Sequence, residues 1–144
     1  MNTRKSTPQD LIINAYHSLK ETKLELGGGN CGVVAIAILT WLASKGVKAN
    51  IAYATNAENE DELIDGEPNL YHVVVSYRGM YYDEMGKINR SYIERLVKNQ
   101  YDTQTNILVY DFLEDKEEHE KIIRRNTAPT LSIDWLIQKL QEVY

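Results

Sequence analysis

The single cysteine of this 144-residue chain, Cys31, follows Gly27-Gly28-Gly29-Asn30 and precedes an unbroken apolar run from Val33 to Leu39. A helix beginning there puts the sulfur at the positive end of the helix dipole, beside N–H groups that have no partner within the helix. That setting favours a thiolate, and the thiolate is the nucleophilic form. A thiolate nucleophile needs a base or cationic partner, and the chain offers three histidines. His17 falls on an amphipathic stretch, and His119 falls in a charged segment expected to be exposed. His72 stands between Tyr71 and Val73 at the start of an apolar strand, where it can be buried and oriented. A working imidazole also needs an acceptor that fixes its tautomer. If Arg78-Gly79 forms a two-residue turn, Tyr77 faces Met80 and Val74 faces Asp83. Side chains alternate along strands, so His72, Val74, Tyr81 and Asp83 then share one face. Asp83 becomes a diagonal neighbour of His72, about 7–8 Å away at the backbone and within side-chain reach. A three-residue turn would flip it to the other face. The expected set is Cys31 as nucleophile, His72 as base and Asp83 as orienter. The Cys31 N–H and the Asn30 side chain are the candidate oxyanion donors, although Asn30 also suits a helix N-cap. The three glycines would let a substrate backbone come close.

The elements that must position these groups follow from the pattern. Thr7-Pro8-Gln9-Asp10 reads as a helix start, and Leu11, Ala15 and Leu19 extend it to about Thr22. A second helix from Cys31 to Ser44 is apolar all round, which predicts full burial, and Gly46 ends it. Alternation at Val47, Ala49, Ile51 and Tyr53 predicts a strand. Residues 55–69 read as a long surface loop, with Glu58, Glu60, Asp61, Glu62, Asp65 and Glu67 and no basic residue. Leu70–Tyr77 and Met80–Asp83 form a hairpin. A helix over 89–99, a strand over 106–112, a charged helix from Glu114 to Arg125 and a last helix capped by Ser132 complete the order. Helices first, with strands that pair most simply antiparallel, predict one α+β domain over 1–144, built as a buried central helix starting at Cys31 on a small antiparallel sheet.

The segments GGNCGVVAIAILTWLASKGV and HVVVSYRGMYYDEMG together resemble the papain-like and transglutaminase-like cysteine enzymes. Within that superfamily the nearest likeness is to bacteriocin-processing-type peptidases and transglutaminase-like domains. The resemblance spans residues 27–88. It implies a papain-like fold and acyl transfer from an amide or ester to water or an amine, with the order Cys31, His72, Asp83. Gly28-Gly29-Asn30-Cys31 is also faintly similar to the cysteine motif of arylamine acetyltransferases, which are much longer proteins. Papain-like enzymes carry a glutamine about six residues before the cysteine. Here that position is Glu25, whose charge opposes an oxyanion.

Composition narrows the alternatives. The net charge is −5, which disfavours general binding to a nucleic-acid backbone. The longest apolar run is too short to span a bilayer, and no apolar stretch follows the basic start, Met1 to Thr7, so no secretory leader is expected. One cysteine makes no internal disulfide, and nothing in the spacing of Cys, His and Asp points to a metal or other cofactor. A reducing, cytoplasmic setting is the simplest expectation. The expected partner is a peptide, protein or small amide or ester substrate. The rival expectations are a papain-like module that binds without catalysing, and an adaptor or inhibitor whose acidic segment 58–67 meets a basic partner or closes over His72.

Overall fold

The chain starts its first helix as the sequence predicts. The Thr7 hydroxyl accepts from the Asp10 N–H at 3.1 Å and the Asp10 carboxylate accepts from the Thr7 N–H at 3.3 Å, a reciprocal cap. The computed structural model describes residues 7–143. Residues 1–6, over which no leader is expected, lie outside the described residues. The elements are α1 (Pro8–Glu21), α2 (Cys31–Ser44), β1 (Asn50–Thr55), α3 (Glu60–Asp65), β2 (Leu70–Tyr77), β3 (Met80–Asp83), β4 (Gly86–Ile88), α4 (Arg90–Tyr101), β5 (Asn106–Asp111), α5 (Lys116–Asn126) and α6 (Ile133–Val143). Every strand pairing is antiparallel and the order is β4-β3-β2-β1-β5. This is an α+β domain. No helix among the described residues is long and apolar enough to cross a membrane.

The layers follow from strand alternation. Ile51, Tyr53, Val73 and Val75 join the main core with α1, α2, α5 and α6, while Ala52, Ala54 and Val74 join a smaller one with Ile93 and Val97 of α4. The sheet is therefore covered on both faces, and β1 is buried from Ile51 to Thr55. Helix α2 lies at the centre of the main core. All of Cys31 to Leu39 is buried, together with Trp41 and Leu42. Each large aliphatic side chain removed from water there contributes roughly 1.5–3 kcal/mol.

Four expectations change. The acidic stretch is not all loop: Asn59 caps α3 by accepting from the Glu62 N–H at 2.9 Å, and Leu63 is buried. Arg125 of α5 donates to the Ile64 carbonyl, so this segment is held against α5. The short strand β4 occupies positions, Gly86–Ile88, to which the sequence pattern assigns no strand. The first strand lies at 50–55, later than the alternation suggests. His119 is buried, not exposed. Its Nδ1 lies 2.7 Å from the Tyr53 hydroxyl. Burial lowers its pKa, against the opposing charges of Asp115, Glu118 and Asp111. Its ring stacks among Tyr53 and Phe112.

The glycines before Cys31 serve the chain's own packing as well as the site. A Cβ on Gly29 would stand 2.6 Å from the Ala128 carbonyl oxygen. Backbone cannot swing away as a side chain can. Gly29→Ala is therefore expected to destabilise the fold by about 1–3 kcal/mol, read as a lower midpoint in urea unfolding. An unchanged midpoint would show that the 127–132 segment yields freely.

Candidate active site

The turn that sets the site has the geometry its residues demand. Arg78 and Gly79 both have positive φ, at 50° and 79°, the signature of a two-residue hairpin turn matched to strand twist. Tyr77 pairs with Met80, Ser76 with Tyr81 and Val75 with Tyr82, the register derived from the sequence. Asp83 thus falls diagonal to His72, and its Oδ2 lies 2.9 Å from His72 Nε2. The other oxygen, Oδ1, accepts from the Met85 N–H at 2.8 Å in the turn that leads into β4. The carboxylate is therefore held from both sides and faces the imidazole in one orientation. The pair is nearly sealed, with side chains 14% and 5% exposed, so its electrostatics are little screened by solvent.

The β2–β3 ladder ends at Val75–Tyr82. At His72, strand β2 has lost its β3 neighbour, and Cys31 at the start of α2 stands near enough to act on the imidazole. Burial alone would lower the His72 pKa. The hydrogen bond to Asp83, the interaction with the nearby Cys31 and the charges of both outweigh it and raise the pKa to about 9. Of the two links, only His72–Asp83 has the length and angles of a full hydrogen bond. Thiol–imidazole contacts in empty sites are often loose and tighten on substrate binding.

Asn30 has a different task from the one the sequence suggests. Its side chain makes no cap bond to α2. The Nδ2 group donates to the Glu25 carbonyl and to the Thr130 hydroxyl, both at 3.0 Å. The Oδ1 atom accepts from the N–H groups of Thr130, at 2.7 Å, and Leu131, at 3.1 Å. Both amide hydrogens are spent on structure, so Asn30 is not an oxyanion donor here. It ties the loop before Cys31 to a segment a hundred residues away.

One residue of the site is missed by the sequence argument. Tyr16 of α1 is only 4% exposed, and its hydroxyl has no full hydrogen-bond partner among the described residues. Burial raises its pKa well above the usual value, and the charges of Asp83, Cys31 and Glu84 add to that. It is a buried, protonated hydroxyl close enough to Asp83 and Cys31 to feel their charges. In the sequence it is one apolar-face residue of an ordinary amphipathic helix, and only the tertiary packing singles it out.

A cleft of about 100 Å³ opens onto His72 and Asp83 between the Gly27-Gly28 loop and α4. No residue of 58–67 lines it, so the acidic segment does not close over the site. No group of three or more His, Cys, Asp or Glu side chains among the described residues is arranged to hold a metal. The arrangement can present a thiolate to an electrophilic carbon and return a proton through an imidazole that is oriented from behind.

In an NMR titration the His72 ring is expected to keep its proton past pH 8, with a midpoint near 9. Asp83→Asn should lower that midpoint, because it replaces a charged acceptor by a neutral one. A wild-type midpoint at or below 6.5 would contradict this account of the pair.

No family model, curated protein or solved structure matches the chain.

Proposed function

We propose that the protein is a thiol-dependent hydrolase or acyltransferase acting on an amide or ester, with a papain-like or transglutaminase-like arrangement of Cys31, His72 and Asp83. The observation that carries the reading is the buried imidazole held by Asp83 on Nε2 at 2.9 Å, with Cys31 near enough to act on the same ring. With its pKa raised to about 9, the imidazole carries its positive charge at neutral pH, which is the kind of partner a thiol nucleophile needs.

The steps follow from those groups. The Cys31 thiolate adds to the carbonyl carbon, and the negative charge that forms on the carbonyl oxygen is met by N–H groups at the start of α2. The His72 imidazolium gives its proton to the departing amine or alkoxide as the C–N or C–O bond breaks, leaving a thioester on Cys31. Neutral His72 then takes a proton from water or an amine as it attacks, and the C–S bond breaks to restore the thiolate. Asp83 keeps the ring in one orientation throughout and stabilises its charged form.

A second reading is a module that keeps this fold and binds without reaction. Two observations favour it: the Asn30 amide is already spent, and Glu25 stands exposed beside Gly28, one carboxylate oxygen 3.8 Å from where a Cβ there would lie. The two readings separate on one experiment. On incubation with p-nitrophenyl acetate, mass spectrometry is expected to find an acetyl group on Cys31, with faster p-nitrophenol release than from the Cys31→Ser variant. His72→Ala should slow acylation roughly 10²–10⁴-fold. No acyl adduct from a folded wild-type protein, or equal rates in His72→Ala, would move the assignment to the binding module.

A further inference from the structure

The cleft beside His72 has a chemical character that the acyl-transfer groups do not require. Its walls are aromatic and acidic: Tyr71 from β2, Tyr92 and Tyr101 from α4, and Glu84 from the turn after β3. The rings of Tyr71 and Tyr101 meet with centroids 4.9 Å apart and planes tilted by 47°. Tyr101 is half exposed, so this pair forms the rim rather than the core. The Glu84 carboxylate leans over Gly27, with one oxygen 3.4 Å from where a Cβ would stand, and Glu25 holds the corresponding place over Gly28. A side chain on Gly27 would begin to fill this space. Neither glutamate has an ion-pair partner among the described residues, and no lysine or arginine lines the cleft. Asp83 is already balanced by His72, so the unbalanced charge is that of the glutamates at the mouth.

Aromatic faces attract cations through their quadrupole, most strongly where water is partly excluded. A carboxylate at the same place adds a directional hydrogen-bond acceptor and a long-range pull. An anionic or purely aliphatic group gains neither. The geometry points to a subsite for a positively charged side chain, lysine-like in chemistry, carried by the substrate beside the acyl group that Cys31 attacks. The position of the subsite relative to the reaction rests on the acyl-transfer reading, whereas the binding preference stands on the cleft alone. The cleft's volume of about 100 Å³ suits an ammonium head and its last methylenes rather than a large ring. The tyrosines would hold the methylenes and one side of the head, and Glu84 would pair with the charge.

The test compares two ligands of the same shape and different charge. Nα-acetyl-lysinamide and Nα-acetyl-norleucinamide are titrated into the full chain at low salt, following the ring resonances of Tyr71, Tyr92 and Tyr101 by NMR. The lysine amide should move these resonances and bind at least about fivefold tighter, with the advantage shrinking as salt rises. Glu84→Gln should remove most of the advantage. Tyr101→Leu, at a half-exposed rim position that tolerates change, should weaken the lysine amide and leave the norleucine amide little affected. Equal binding of the two amides, or lysine-induced shifts confined to other residues, would overturn the subsite. Cys31 alkylation by iodoacetamide, measured in parallel, keeps the two ideas apart. A charge-selective cleft beside a thiol of ordinary reactivity sinks the reaction and leaves the subsite. A reactive thiol beside a cleft indifferent to charge does the reverse.

Discussion

A helix with no polar face has only one place to go. From Cys31 to Leu42 helix α2 offers the core an almost continuous apolar surface, and the other layers are arranged to cover it. Helices α1, α5 and α6 close over it on one side, and β1 and β2 form its floor. The consequence for chemistry lies at its first residue. A buried helix must still end somewhere, and its unpaired N–H groups must meet something that accepts them. Here the usual side-chain cap is missing, because Asn30 is turned away to bind Glu25, Thr130 and Leu131. A 3-10 turn over Gly28–Asn30 runs straight into α2, so Cys31 stands at a helix start with no side-chain cap.

The sheet supplies the balancing groups at the same point. The β2–β3 ladder stops at Val75–Tyr82, and the chain then turns tightly through Asp83 into β4. That turn fixes Asp83 through the Met85 N–H and aims its second oxygen at His72. Strand separation and carboxylate placement are thus two results of one local geometry. Burial opposes a charged imidazole, and two hydrogen-bonding, negatively disposed neighbours overcome it. An imidazolium with only one of those neighbours would have less to offset its desolvation. The charge on His72 therefore depends on both neighbours, and removing either is expected to lower the His72 pKa.

Much of this is legible in the residues, and the boundary has physical causes. The register of the hairpin follows from Arg78-Gly79, because a two-residue turn leaves no freedom in pairing, and His72 and Asp83 share a face as a matter of parity. The burial of α2 follows from its lack of a polar face. What escapes reading depends on distant partners or on short elements. Strand β4 has only three residues, too few for any alternation to show. His119 sits in a helix whose composition, KEEHEKIIRRN, is dominated by charge, and its burial depends on meeting Tyr53, Tyr110 and Phe112 across the fold. Asn30 has the composition of a cap and is drawn off by backbone a hundred residues later. Tyr16 has no local mark at all.

The central claim is that the His72 imidazole serves Cys31, and the rate of Cys31 alkylation by iodoacetamide at pH 7, in the wild type and in His72→Ala, tests it most directly. The thiolate is the form that reacts, and a positive charge beside a sulfur favours it. The account predicts that His72→Ala, while folded, is alkylated at least about tenfold more slowly than the wild type. Equal rates in the two proteins would contradict it, leaving Cys31 as a structural residue at the head of a buried helix.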